Sequence, residues 1–238
     1  MEIHLISYGD QKYELRSGYF KALAIASSFF DQVTIFRYED LDIKFVDEFY
    51  EVLQFTRGGG YIWKPYFIKR ALQDLKDGDI LVYCDTGCHF NKMGKERFNQ
   101  YLDLLNQSET GVLAFQLNQK EYEYTKREVF DHFGSSPAVI ESDQLMAAII
   151  LLKKCDYAVQ LIDLWSNAVK EHPDLFTDDT DNDIQHPDFI DHKHDQSVWS
   201  ILLKTHGAEI IPDETYFDGS EKQGISFPLW ASRIVPMD

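Results

Sequence analysis

The sequence predicts an α/β fold in which a mostly parallel sheet is flanked by helices, in one domain that covers residues 1–238. Candidate strands alternate with candidate helices along the chain, which is typical of a parallel sheet with helical crossovers. The candidate strands are continuous apolar runs, as expected for strands that are covered on both faces. No linker rich in Pro, Gly or Ser divides the sequence, and no internal repeat is visible.

The first half of the chain predicts three strands and two helices. The apolar run Ile3–Tyr8 ends at a Gly-Asp turn and therefore predicts a buried strand. Apolar residues at helical spacing predict a helix over residues 14–31, and VTIFRY at 33–38 predicts the next strand. Residues 64–76 predict a second helix, and the run Ile80–Cys84 that follows it predicts a third buried strand.

The second half of the chain continues the alternation. It predicts strands at residues 111–117, 145–152 and 208–211. The capping-box pattern Thr125-x-x-Glu128 predicts the start of a short helix. Two longer helices are predicted over Asp156–Glu171 and Asp195–His206, the second followed by a glycine suited to a helix end.

Charge and composition exclude several classes of function. The chain has 23 Lys and Arg against 40 Asp and Glu, a net charge of −17, which disfavours nucleic acid and anionic membranes as partners. Its longest apolar run is eight residues, whereas a transmembrane helix needs about 20. No signal peptide is visible, and three cysteines without a CxxC pair favour a reducing compartment. We therefore expect a cytoplasmic protein without a transmembrane segment.

The residues that follow predicted strands are the first site candidates, because α/β folds bind ligands at the carboxyl ends of their strands. They are Ser7, Tyr8 and the residues up to Asp10, Tyr38 to Asp40, and Asp85, Thr86, Gly87 and Cys88. Asp85 directly follows a buried strand, where an acid is costly unless it is paired or binds a metal. An Asp that merely caps the next turn is the structural alternative. A phosphatase of the haloacid dehalogenase type would need a second Asp where the chain has Gly87.

A second candidate is a positive segment around a glycine triplet. Residues 55–73 contain no acid and four cations, which are Arg57, Lys64, Lys69 and Arg70. Lys64 lies at a predicted helix start, where anions are favoured, and glycines allow a backbone to approach a ligand closely. This combination predicts a phosphate-binding corner in which Lys64 affects ligand affinity far more than stability. A flexible loop before an ordinary amphipathic helix is the alternative.

Two polar segments complete the candidates. The acidic loop at about 177–194 ends in His194-Asp195-Gln196, which opens a predicted helix. The loop could be solvated and mobile, Asp195 could be a helix N-cap, and the loop histidines could ligate a metal. Asp143 and Gln144 precede a predicted strand, so their side chains could point into the same crevice or belong to an exposed loop.

Three motifs in order carry a family resemblance. They are WKPYFIKRALQDLKDGDILVYCDTG, MAAIILLKK and HDQSVWSILLK. This set resembles the GT-A (Rossmann-like) glycosyltransferases with their DxD signature. The likeness is to small bacterial polysaccharide glycosyltransferases and to the retaining galactosyltransferase and glycogenin-like family. It runs from the first strand to about residue 212.

The resemblance implies an enzyme that transfers a sugar from a nucleotide-sugar donor to a glycan or lipid-linked acceptor, as in polysaccharide biosynthesis. By resemblance, Asp85 binds the donor and a divalent cation, Mn²⁺ or Mg²⁺, while Gly87 stands where the signature has its second Asp. Asp195 and Gln196 are expected to lie against the donor sugar. Asp143 or Asp195 would be the base of an inverting enzyme, and Gln196 would suit a retaining one. A non-catalytic nucleotide-sugar-binding protein on the same fold is the alternative, favoured by Gly87.

Overall fold

The computed structural model describes residues 1–9, 14–216 and 224–231, and within them a seven-stranded sheet forms the centre of the molecule. Its strands are β1 Ile3–Tyr8, β2 Gln32–Phe36, β3 Ile80–Cys84, β5 Val112–Lys120, β6 Asp143–Leu145, β7 Ile149–Lys153 and β8 Glu209–Pro212. They lie in the order β2-β1-β3-β7-β5-β6, and β8 pairs with β5. A separate two-stranded sheet pairs β4, His89–Phe90, with β9, Leu229–Trp230. Asp10 of the predicted turn after β1 lies outside the described residues.

The main sheet is mostly parallel, as the sequence predicts. Strands β1, β2, β3, β5 and β8 run in one direction, and β6 and β7 run in the opposite direction. Side chains of β3 point alternately to two cores, because successive side chains of a strand leave opposite faces. Leu81 and Tyr83 belong to one core, and Ile80, Val82 and Cys84 to the other. This double burial explains why the strand is a continuous apolar run.

Helices cover both faces of the sheet. The helices are α1 Glu14–Ser27, α2 Ile43–Glu48, α3 Tyr50–Phe55, α4 Trp63–Asp74, α5 Lys95–Gln107, α6 Glu121–Tyr124, α7 Arg127–His132, α8 Pro137–Ile140, α9 Asp156–Glu171 and α10 Asp195–His206. Helices α4, α9 and α10 pack against one face, and α1 and α5 pack against the other. No helix among the described residues is long and apolar enough to cross a bilayer.

The predicted strand at 145–152 is wrong, because the chain bends in its middle. The structure has two strands there, β6 and β7, separated by Met146, Ala147 and Ala148. At this bend the carbonyl of Ala147 accepts a hydrogen bond from Lys64 Nζ, and the carbonyl of Ala148 accepts one from the backbone of Asp85. The apolar run therefore bends because its backbone turns over the end of β3, a contact that its side-chain pattern does not encode.

Two helix predictions also need correction, and one helix was not predicted. Helix α1 ends at Ser27 rather than at residue 31, because Ser28 adopts a positive φ of 58°. Thr125 is not the N-cap of α7, since Lys126 occupies that position and the Thr125 hydroxyl donates to Glu121 instead. Helix α5, which was not predicted, is amphipathic and buries four side chains, Phe98, Tyr101, Leu102 and Leu105.

Candidate active site

A buried ion pair lies at the carboxyl end of β3. Lys64 belongs to the first turn of α4, and Asp195 is the first residue of α10, 131 residues further along the chain. Lys64 Nζ lies 2.5 Å from Asp195 Oδ2, and the two side chains are only 3% and 6% exposed. The same Nζ donates to the carbonyl oxygen of Ala147 at 3.0 Å. The N-cap of α10 is His194, so the interpretation of Asp195 as a cap is wrong.

Asp85 is the exposed member of the same charge cluster. It follows β3 directly, and its Oδ1 lies 3.5 Å from Lys64 Nζ. The same oxygen accepts a hydrogen bond from the Tyr83 hydroxyl at 2.7 Å. Asp85 is 40% exposed, in contrast to the buried pair behind it. One ammonium and two carboxylates thus meet here, and only the Asp85 carboxylate faces solvent to any extent.

The charge states of the cluster follow from burial and from mutual attraction. Burial alone would lower the pKa of Lys64, but the carboxylates of Asp195 and Asp85 raise it above its usual value. Burial raises the pKa of Asp195 to about 6, although the Lys64 ammonium opposes this shift. Burial and the neighbouring Asp85 raise the pKa of Tyr83, so its hydroxyl stays protonated and donates. The cluster is therefore ionic at neutral pH and loses one negative charge below about pH 6.

Aromatic rings surround the Lys64 ammonium. Its Nζ lies 5.0 Å from the ring centroid of Tyr83, 5.5 Å from that of Tyr61 and 5.9 Å from that of Trp63. The half-buried ring of Tyr8 stacks on Trp63 with centroids 4.0 Å apart. Such rings attract a cation and exclude water, which strengthens the charge interactions of the cluster. Tyr61 and Tyr83 were not among the predicted site residues. The sequence signal that could have identified Tyr83 is its position two residues before Asp85, because residues i and i+2 of a strand share a face.

The remaining candidates near the carboxyl ends of β1, β2 and β3 have structural contacts. Ser7 is buried, and its hydroxyl donates to the carbonyl oxygen of Cys84 at 2.6 Å, which ties β1 to β3. Tyr38 begins a short 3₁₀ turn after β2 and packs against the core on the α4 face. The carbonyl of Thr86 accepts a hydrogen bond from Arg16 of α1 at 3.2 Å.

The glycine triplet forms one tight left-handed turn. Gly58, Gly59 and Gly60 have φ of 61°, 62° and 58°, a conformation that only glycine adopts without strain. A Cβ on Gly60 would lie 2.4 Å from the carbonyl oxygen of Phe176. The turn carries the chain from α3 into α4 and so places Lys64 at the end of β3.

The positive segment of the sequence is balanced by acids from elsewhere in the chain. Arg57 donates to both oxygens of Asp191 at 3.0 and 2.9 Å and lies 3.4 Å from Asp178. Lys69 pairs with Asp163 at 2.8 Å, and Arg70 donates to the backbone of the turn after β2. Lys64 is paired as described above. Each of the four cations therefore has a protein partner.

The acidic loop is anchored to the domain at several points. Lys126 is buried, and its Nζ donates to the carbonyl oxygens of Asp174, Thr177 and Asp179 at 2.7, 3.1 and 2.9 Å. His194 Nε2 bonds Asp178 Oδ1 at 2.8 Å, and His194 itself has a positive φ of 46°. These contacts hold the loop segment that leads into Asp195.

Gln196 and Gln144 lie side by side, and Asp143 contacts other groups. Gln196 is half-buried and accepts a hydrogen bond from the backbone of Ala147 at 3.3 Å. Its Nε2 donates to Oε1 of Gln144, which is fully buried and so has no surface for a donor. Asp143 pairs with Lys120 at 2.8 Å. The bend at Ala147 thus joins Lys64 and Gln196 in one site, while the described contacts of Asp143 lie on β5.

The described residues supply one exposed carboxylate, Asp85, as a ligand for a divalent cation at the charge cluster. Asp85 is the one carboxylate exposed at the site, and its Oδ1 is already engaged by Tyr83 and Lys64. Gly87 has no side chain to add a second ligand, and both ring nitrogens of His192 bond backbone groups. Across residues 1–9, 14–216 and 224–231, no group of three or more His, Cys, Asp or Glu side chains could hold a metal ion. A requirement for Mn²⁺ or Mg²⁺ stays a prediction.

Comparison with solved structures identifies the fold. A glycosyltransferase involved in the glycosylation of the major capsid of PBCV-1 aligns over 97% of this chain and 93% of its own, with a TM-score of 0.54 and 11% identity. The chain has the GT-A fold. GlyE of Streptococcus pneumoniae TIGR4 and mouse xyloside xylosyltransferase 1 each align over 90% of the chain at 11% identity, with TM-scores of 0.48 and 0.46. The aligned region makes up 46% of GlyE and 85% of the xylosyltransferase. No family model and no curated protein sequence matches the chain.

Within the GT-A fold, the cluster occupies the edge of the sheet at which ligands of open α/β folds bind. Asp85 and the bend at Ala147 lie at the carboxyl end of β3, and Tyr8 lies at the carboxyl end of the neighbouring β1. The charge cluster therefore lies at the sheet edge where this class of fold binds its ligands.

Proposed function

We propose that the protein is a glycosyltransferase that takes a sugar from a nucleotide-sugar donor and attaches it to a hydroxyl of a glycan or lipid-linked acceptor. The observation that carries the proposal is the cluster of Lys64, Asp85 and Asp195 at the carboxyl end of β3 in a GT-A fold. A buried ion pair contributes little to net stability compared with apolar residues of the same volume. Its presence beside an exposed carboxylate therefore favours a role in binding or catalysis.

The proposed chemistry breaks the bond between the anomeric carbon and the diphosphate oxygen, and forms a bond from that carbon to the acceptor oxygen. The bond electrons leave with the nucleoside diphosphate, and the acceptor hydroxyl loses its proton to a base or to the departing phosphate. Positive charge develops on the sugar during this step. The carboxylates of Asp85 and Asp195 stabilise it electrostatically in a site lined by aromatic rings.

In this proposal each site residue has a separate task. Asp85, the exposed carboxylate, accepts hydrogen bonds from donor hydroxyls, and Lys64 holds both carboxylates at a fixed distance. Gln196 lies on the half-buried side of the site against the sugar. Arg57, whose side chain is half exposed, is the cation available to the diphosphate once its contact with Asp191 yields. A cytoplasmic location, in which the free cysteines stay reduced, belongs to the same proposal.

The test is a screen of nucleotide sugars by thermal shift, followed by assays of nucleoside diphosphate release with and without Mn²⁺. A donor at 100 times its dissociation constant should stabilise the protein by about 2.7 kcal/mol. Asp85→Asn should abolish turnover with the donor found, whereas Asp163→Asn, at an exposed pair on α9, should retain it. NMR of the product's anomeric proton distinguishes retention from inversion.

A non-catalytic nucleotide-sugar-binding protein is the second candidate. The lone exposed carboxylate and Gly87 favour it, because neither supplies the second acidic ligand of the signature. Stabilisation by a nucleotide sugar without hydrolysis or transfer would support it. Absence of any stabilisation by nucleotides or nucleotide sugars would contradict both candidates.

A further inference from the structure

We propose that Glu121, Thr125 and Gln144 are positioning residues that fix the orientation of the Gln196 side-chain amide through a directional chain of hydrogen bonds. This proposal rests on the proposed function only because that function assigns Gln196 to the donor side of the site. The geometry of the hydrogen bonds does not depend on the reaction.

This chain of hydrogen bonds runs through the protein interior from α6 to the start of α10. The Thr125 hydroxyl donates to Glu121 Oε2 at 2.6 Å. Gln144 Nε2 donates to Thr125 Oγ1 at 2.9 Å, and Gln196 Nε2 donates to Gln144 Oε1 at 2.8 Å. Gln196 Oε1 then accepts from the backbone of Ala147 at 3.3 Å. Glu121, Thr125 and Gln144 are each at most 1% exposed, so water does not compete for these bonds.

The donor and the acceptor of each hydrogen bond follow from the carboxylate of Glu121, which begins the series. Glu121 forms an ion pair with Lys204 at 2.6 Å, and an ionised carboxylate only accepts hydrogen bonds. Thr125 must therefore donate its single proton to Glu121 and accept from Gln144. Gln144 must turn its NH₂ group toward Thr125, which leaves its oxygen facing Gln196.

A second contact fixes Gln144 in the same orientation. Its Nε2 also lies 3.3 Å from the carbonyl oxygen of Tyr124, which accepts and cannot donate. A flipped Gln144 would place its oxygen against the Tyr124 carbonyl and leave Thr125 without its donor. Unpaired polar groups in such a buried site cost about 1–3 kcal/mol each, so the flipped orientation is excluded.

The consequence at the site is a fixed presentation of Gln196. Its Nε2 donates one N–H to Gln144, and one lone pair of its Oε1 accepts the N–H of Ala147. One N–H and one lone pair of the half-buried Gln196 remain beyond these two bonds, in an orientation set by Glu121. A reaction that depends on the direction of this amide would thus depend on a hydroxyl that never touches the substrate.

The direct test is the side-chain amide spectrum of the ¹⁵N-labelled full chain, with the Gln196 signals assigned by their loss in Gln196→Ala. In the wild type the Gln196 Nε2 proton that bonds Gln144 should be protected from exchange with solvent. Thr125→Val, which replaces the hydroxyl by a methyl group, should shift the Gln196 amide signals and speed their exchange with solvent. Thr125→Ser should preserve them. Thr205→Val is the matched control, since its hydroxyl bonds a carbonyl inside α10. Gln144→Met provides a second break in the chain if Thr125→Val does not fold.

Turnover gives the second readout. With the donor found by screening, Thr125→Val and Gln144→Met should lower the turnover number about tenfold or more, and change the donor dissociation constant by about twofold or less. Thr125→Ser should restore turnover. Fast solvent exchange of both Gln196 Nε2 protons in the wild type, or Gln196 signals and exchange rates that are unchanged in the two breaking variants, would overturn the proposal. Absence of turnover in the wild type would refute the proposed function, whereas the spectra still decide the positioning role.

Discussion

Replacing Lys64 by Met should destabilise the protein strongly. The substitution keeps the length of the side chain and removes the ammonium. It leaves the Asp195 carboxylate, 6% exposed, without its cation at 2.5 Å. Breaking a buried ion pair by removing one partner costs about 3–5 kcal/mol. For a chain of this length, that loss corresponds to a fall in Tm of roughly 6–20 °C.

This expectation differs from the sequence-based prediction that Lys64 affects ligand affinity far more than stability. The reason is that Lys64 is buried under Tyr61, Trp63 and Tyr83 and donates to the Ala147 carbonyl. Removing both charges should recover most of the stability, because a buried ion pair replaced by apolar groups is often neutral. Lys64→Met with Asp195→Leu should therefore unfold closer to the wild type than Lys64→Met alone.

The destabilisation should depend on pH. An Asp with a raised pKa in the folded state favours folding below its unfolded pKa, and that contribution is lost as pH rises through the folded value. Burial raises the pKa of Asp195 to about 6 even with Lys64 present, and loss of Lys64 removes a group that lowers it. The stability gap between Lys64→Met and the wild type should thus be smaller at about pH 5 than at about pH 8.

The assay is urea unfolding at both pH values. Lys69→Met is the matched control, because it makes the same substitution on the same helix at a pair that is 42% and 43% exposed. An exposed pair contributes about 0–1 kcal/mol. A Lys64→Met variant that loses no more stability than Lys69→Met would refute the interpretation of Lys64 and Asp195 as a buried ion pair.

Three further predictions concern the site and the turn beside it. Asp85→Asn should abolish turnover and leave the melting temperature unchanged, because its side chain is 40% exposed. Normal turnover in this variant would remove Asp85 from the site. The pH profile of turnover should fall on the acid side with an apparent pKa near that of Asp195, about 6, since protonation removes one of the two carboxylate charges; a flat profile down to about pH 5 would contradict this. Gly60→Ala should destabilise the protein more than Gly134→Ala in urea unfolding. Both have positive φ, but only the Cβ at residue 60 meets a backbone oxygen, that of Phe176 at 2.4 Å. Equal losses would show that the turn relaxes.

Much of the fold could be predicted from the sequence, because its signals act over a few residues. The apolar runs Ile3–Tyr8 and Ile80–Cys84 gave β1 and β3 with their observed bounds, and helical periodicity with end signals gave α9 and α10. The carboxyl end of β3 followed from the same reasoning, and with it the position of Asp85. Local hydrophobic spacing carries this information directly.

Other local signals were misleading because they compete with tertiary contacts. The run at 145–152 has the composition of one strand, but its backbone bends where it meets Lys64 and Asp85. The pattern Thr125-x-x-Glu128 matches a capping box, but the Thr125 hydroxyl donates to the buried Glu121 instead. A hydroxyl bonds the strongest acceptor within reach, and only the fold determines which acceptor that is.

The sequence by itself determined most of the strands and helices, that the sheet is mostly parallel, and that an acid follows its central strand. The tertiary structure decided which charged side chains pair with each other. Residues 55–73 form a positive segment in the sequence, yet Lys64 pairs with an acid 131 residues away and Arg57 with one 134 residues away. Coulomb attraction depends on distance through space and on exclusion of water, and both are set by the strand order and by the bend at Ala147.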